Sequence, residues 1–263
     1  MEDLKTIDSE LNKYLRLQSF PIALRMLKSE AEIPAKTRRP FAQMKQKVAI
    51  CQGFYMARKY GWSVAMGKED MACPPGTAAY GFFKDSAYFD EGNMAFPTYA
   101  PSLDLGKSLE ADIPRFPYGE YSHILVAPLD KAEFEPQLLI IYAMPAQVMR
   151  LIHGAIYEQG HALTAASECR IGCAIVAAVM KSGECTFSVP GNGDRVFGGT
   201  QDHEMNFFLP MQRLPGVLAG LAANHKGGTR YPIPAYAMYQ PSFPKNYSRQ
   251  MEIWQENGEL AKN

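Results

Sequence analysis

Ser122-His123-Ile124-Leu125-Val126-Ala127-Pro128 and Leu138-Leu139-Ile140-Ile141-Tyr142-Ala143 are two short apolar runs joined by a charged connection. Runs this short and this rich in Ile, Leu and Val read as strands buried on both faces. They follow one another with no room for a crossover helix between them. That favours α+β with a mixed or antiparallel sheet, packed by helices, over a doubly wound parallel fold.

Outward from these runs the pattern alternates loosely. Residues 145–159 carry Val148, Leu151, Ile152, Ala155 and Ile156 on one face, and Gly160 ends the segment as a helix C-cap. Residues 41–59 read as one helix, with Phe41, Met44, Val48, Cys51 and Tyr55 at spacings of 3, 4, 3 and 4. Residues 4–17 and 214–224 read as further helices. Residues 168–181 read as another, with Ser167 as its N-cap. Strands are expected at 20–27, 62–66, 185–189 and 205–209, and another at 161–166. Residues 83–118 form an irregular excursion in which only 103–111 looks helical; it reads as a lid or pocket wall, or as an inserted structural loop. No linker divides the chain, so one domain over 1–263 is expected. Its tail, 231–263, is rich in Pro and Tyr and then polar.

Composition narrows the function classes. Of the 263 residues 47% are hydrophobic, enough for a sizeable core. Lys+Arg and Asp+Glu are both 27, so no net charge argues for nucleic acid or an anionic membrane. The longest apolar runs, 173–180 and 138–146, fall far short of the roughly 20 residues a bilayer span needs. The first residues hold no apolar signal core, so a cytoplasmic location is expected. Five cysteines fit reduced thiols or metal ligands better than a disulfide framework. No Walker loop, dinucleotide fingerprint, zincin motif or nucleophile elbow is present. Whether the chain is an enzyme is not decided by these residues.

The cysteines carry the chemistry. Cys73 precedes Pro74-Pro75-Gly76, a rigid turn that opens a helix; a thiol at that N-terminus is expected to lean toward thiolate. Cys169 and Cys173 are four apart and on a helix would share one face, with continuation of a core stripe as the alternative. Cys51 sits on the apolar stripe of its helix, where a small core residue is the simpler reading. Cys185 reads as structural. A glycine-rich loop, residues 190–200, contains Gly193, Asp194 and Arg195. There glycines would let a ligand approach, Arg195 would hold an anion, and Asp194 could pair with Arg195 locally.

Taken in order, Cys51-Gln52 with Ala57-Arg58, Asp70 before Cys73 and Gly76, the cysteine-bearing helix, and Asp194-Arg195 before Glu204-Met205 and Pro210 resemble the prokaryotic family called domain of unknown function 169, the ArCR-type proteins. The resemblance spans nearly the whole chain. It implies a single domain with cysteines as the recurring reactive side chains, in a family found mainly in anaerobes. Cys185 and the 83–118 excursion match nothing in that pattern. Two function classes follow, beside a structural or interaction protein whose cysteines are only core. In one, Cys51, Cys73, Cys169 and Cys173 converge on an iron–sulfur cluster or another soft metal in a redox or binding protein. In the other, Cys73 serves a cysteine-dependent enzyme or a small-molecule binding protein, with Arg195 anchoring an anionic ligand. A small molecule or redox partner is expected, and the Tyr- and Pro-rich tail would suit a homodimer contact, a pocket rim or packing on its own domain.

Overall fold

Six strands form one sheet in the order β2-β3-β1-β4-β6-β5: β1 Ile22–Leu27, β2 Val64–Gly67, β3 His123–Pro128, β4 Leu138–Ala143, β5 Thr186–Ser188 and β6 Met205–Pro210. Every neighbouring pair is antiparallel. The structure, a computed structural model, describes residues 3–84, 86–165, 169–233 and 243–260. The fold class read from the two apolar runs is the observed one. β3 and β4 are central or near-central strands and are buried along their whole length.

Side chains alternate between two apolar layers, as the pleat requires. Leu138, Ile140 and Tyr142 of β4 face one layer with Leu24, Ile124 and Phe208. Leu139 and Ile141 face the other with Ala23, Phe207 and Leu209. The second layer is closed by α1 Leu4–Leu15, α6 Pro145–Gln159 and α9 Leu214–Lys226, through Leu11, Leu151 and Val217 among others. The first is closed by α2 Ile50–Tyr60, α3 Pro74–Ala79 and α7 Ile175–Ser182, through Phe54, Tyr80 and Val176. The chain excursion supplies Phe89, Ile113 and Phe116 to the same layer. It holds two short helices, α4 Ala87–Asp90 and α5 Leu103–Ala111, between turns.

Several sequence expectations are corrected. Residues 41–59 are not one helix. A π-helical turn over Pro40–Met44 ends at Lys45, whose φ is 56°, and Val48 then bridges Met71 as extended chain before α2 begins. Tertiary pairing overrides the helical spacing there. The helix expected over 168–181 begins only at Ile175; a 3₁₀ turn, Gly172–Ala174, precedes it, and Cys169 has a left-handed φ of 58°. Its proposed cap Ser167 lies outside the described residues. Residues 161–165 hold no strand, and the end of that expected strand also lies outside the described residues. The glycine-rich loop contains a single helical turn and a half, α8 Asn192–Val196. The polar tail carries a helix, α10 Lys245–Glu256.

Candidate functional site

At the β5 end of the sheet, four separate segments bring acidic side chains to one place on the α2/α3/α7 face. Cys51 lies in the first turn of α2, and its Sγ donates to the Gly193 carbonyl at 3.4 Å. Cys73 is the N-cap of α3, fixed by the prolines that follow it. Cys173 lies in the 3₁₀ turn, with its carbonyl held by the Tyr80 hydroxyl at 3.1 Å. The Cys73 and Cys173 sulfurs lie 3.6 and 3.7 Å from the single point that a Cβ on Gly76 would occupy. Asp194, on α8, is 3% exposed. Its Oδ2 accepts from the Gly191 N–H at 3.2 Å, and its Oδ1 takes a long 3.4 Å bond from the Tyr142 hydroxyl.

The floor of this centre is one row across the sheet, since Tyr142 of β4 is registered on Asn206 of β6 and Asn206 on Ser188 of β5. Asn206 is buried and, among the described residues, its Oδ1 receives no donor; the Thr200 hydroxyl beside the loop is also buried with no partner among them. The buried guanidinium nearby is committed. Arg58, 1% exposed, forms a two-pronged pair with Glu204 at 2.7 and 3.2 Å and donates to the Gly198 and Gly199 carbonyls. Its guanidinium also lies 4.1 Å from the centroid of the Tyr142 ring.

The electrostatics follow from that crowding of acids. Burial pushes the Cys51, Cys73 and Cys173 thiols up, and the Asp194 charge adds to each. Asp194 itself is raised by burial, despite the Gly191 N–H, the Tyr142 hydroxyl and Arg58. Glu204 behaves oppositely: burial raises it, but the Arg58 and Gln201 hydrogen bonds and the Arg58 charge hold it below the usual carboxylate range. The expectation of a low-pKa thiolate at Cys73 is therefore corrected. The Gly76 N–H does favour the anion, but burial outweighs it.

Three of the four cysteines singled out in the sequence, Cys51, Cys73 and Cys173, converge; Cys169 does not. Its left-handed backbone takes it off any shared helix face, and its thiol points to the Val189 carbonyl at 3.7 Å. Arg195 bonds the Gln201 carbonyl at 2.9 Å and pairs with Asp202 at 3.5 Å, bracing its own loop. Gly193 meets Cys51 through its carbonyl. Cys185 is buried in the opposite layer, its thiol pushed up to about 12 by burial. Sequence reasoning gave no role to Arg58, Tyr142 or Asn206. Among the described residues no three His, Cys, Asp or Glu side chains stand close enough together to hold a metal ion as they are placed. Nor is any described helix long and apolar enough to cross a membrane.

The fold and site define an antiparallel α+β protein with a buried centre of thiols and a carboxylate. The chain belongs to the family described as uncharacterised ArCR, domain of unknown function 169, whose model matches residues 10–220. An uncharacterised protein of Methanocaldococcus jannaschii is 23% identical over 232 residues, which is 83% of this chain and 95% of that relative. No solved structure matches the chain.

Proposed function

We propose that the protein binds a soft cation at the centre formed by Cys51, Cys73, Cys173 and Asp194. The observation that supports this reading is the one-sidedness of the buried groups. Three thiols and a carboxyl share one place, and the buried guanidinium beside them is already neutralised by Glu204. Buried acids that raise one another are relieved by a thiophilic metal, which draws off the thiol protons and takes sulfur ligands in preference to oxygen. The side chains would have to rotate inward, since they do not stand at ligating distance now. A four-thiolate iron–sulfur cluster does not fit, because Cys169 is turned away. A nucleophilic Cys73 fits less well than a ligand, because its thiol is raised.

The test is titration of the reduced, full-length protein with cadmium, read by the ultraviolet thiolate-to-cadmium charge-transfer band. The expected result is one equivalent bound with release of protons, lost in Cys73→Ser and in Cys173→Ser and kept in Cys169→Ser. A band absent from the wild type, or one that needs Cys169 and not Cys173, would overturn the reading.

A further inference from the structure

A second site lies on the far side of the 3₁₀ turn that carries Cys173. There a cavity of about 660 Å³ opens between α7, β5 and the end of α5. Gly172, Ala174 and Ile175 form its wall toward the thiol centre, but Cys173 is not among its lining residues. Its other apolar walls come from Pro114, Ile171, Ala178 and Val179. That volume lies in the range of small-molecule sites, which bury an apolar body and fix it with a few polar groups.

The polar groups here have one sign. Thr164, Ser182 and Thr186 offer hydroxyls, Cys169 and Cys185 thiols, and Asp112 and Glu184 carboxylates; among the described residues no Lys, Arg or His lines the cavity. Neighbouring cations are already paired, one of them with the lining Glu184. Lys181 bonds the Arg115 carbonyl, Arg170 pairs with Glu110, and Arg213 pairs with Glu184. Glu184 is further held by Gln159. Asp112, exposed at the end of α5, is thus the carboxylate free to meet a ligand, and it makes no ion pair among the described residues. An anion entering would lose water and meet two carboxylates with no described cation in the lining to offset them.

We propose that this cavity binds an apolar amine, with its hydrocarbon body against Ile175, Ala178 and Val179 and its ammonium at Asp112. The site is separate from the cation centre and does not rest on it. Three probes with one apolar body separate the contributions: 4-phenylbutylamine, 4-phenylbutanol and 4-phenylbutyrate, titrated calorimetrically into the full-length protein. The amine is expected to bind best, the alcohol a few-fold more weakly, in keeping with the modest value of an exposed ion pair, and the acid at least tenfold more weakly than the amine. Asp112→Asn should erase the difference between amine and alcohol while leaving the alcohol unchanged. Ala178→Phe, which places a ring in the cavity, should abolish all three. Should that variant fail to fold, Thr186→Tyr fills the same space from β5. Binding by none of the probes, an acid that binds as well as the amine, or full binding in a filled cavity would overturn the proposal. None of these outcomes bears on cadmium binding, and Cys73→Ser should bind the amine normally.

Discussion

A cysteine's neighbours decide its chemistry more than its sequence motif does. Cys73 has the rigid Cys-Pro-Pro-Gly turn and the helix N-terminus that favour thiolate, yet it shares a buried place with Asp194 and two more thiols. Alkylation by iodoacetamide should therefore show a midpoint for Cys73 above the roughly 8.5 of a free thiol. Asp194→Asn removes a like charge from the anionic form, so the same midpoint should move down. The measurement is the pH dependence of labelling, followed by mass spectrometry of the Cys73 peptide. A wild-type midpoint below the free-thiol value would mean that the helix end, not burial, governs this side chain.

At the scale of elements, what positions the centre is the pair between α2 and the segment before β6. Arg58 and Glu204 are 146 residues apart, and Arg58 also fastens the Gly198 and Gly199 carbonyls, so it pins the chain that carries Asp194. Breaking a buried pair strands a charge, so Arg58→Met should cost about 3–5 kcal/mol in urea unfolding. Glu204→Gln should cost a similar amount at neutral pH. Because Glu204 is held below 4.5 in the fold, its contribution is present above that pH and fades as pH falls through the folded value. Wild type and Glu204→Gln should therefore converge in acid; a gap that persists unchanged would remove the charge from the explanation. On the opposite layer α6 and α9 cross at glycines. A Cβ on Gly220 would lie 2.7 Å from the Tyr157 Cβ and 2.8 Å from the Gly154 Cα. Gly220→Ala should consequently cost about 1–3 kcal/mol, since two backbones cannot separate without opening the layer. An unchanged urea midpoint would show that the helices part freely.

These elements also show what a sequence carries. β3, β4 and α6 were legible because their periodicity and their burial agree, down to the helix start at Pro145 and the C-cap at Gly160. The stripe from Phe41 to Tyr55 misled because Val48 is spent on a bridge to Met71, a partner no local spacing reveals. Cys169 and Cys173 misled for a related reason: a left-handed residue at Cys169 resets the direction of the chain. Cys51 and Cys73 stand out in the sequence by their types, but Tyr142 and Asn206 read only as strand. Their role comes from register across β4, β6 and β5, which exists only in the folded sheet.

For the molecule as a whole, the thiol centre is a place where stability is given up. A well-packed layer would not bury Asp194 with three acids and leave the Asn206 carbonyl oxygen without a donor among the described residues. The sign of the Asp194 shift makes this measurable. Its carboxyl is raised by burial above the 3.8 of an unfolded chain. Its favourable, protonated contribution is thus fully present below 3.8 and is lost as pH rises through the folded value. Asp194→Asn keeps an oxygen for the Gly191 N–H and carries no charge. At pH 7 it should be more stable than wild type, by about 0.5–2 kcal/mol, the usual yield of relieving one functional strain. That margin should shrink as the pH is lowered toward 3.8 and vanish below it. Cadmium should reverse the order at pH 7, because the cation stabilises the wild-type fold by mass action and finds one ligand fewer in the variant. Urea midpoints of both proteins, with and without cadmium, across that pH range check each step. A variant less stable than wild type in the absence of metal would mean that Asp194 holds the fold together; the centre would then be a structural one.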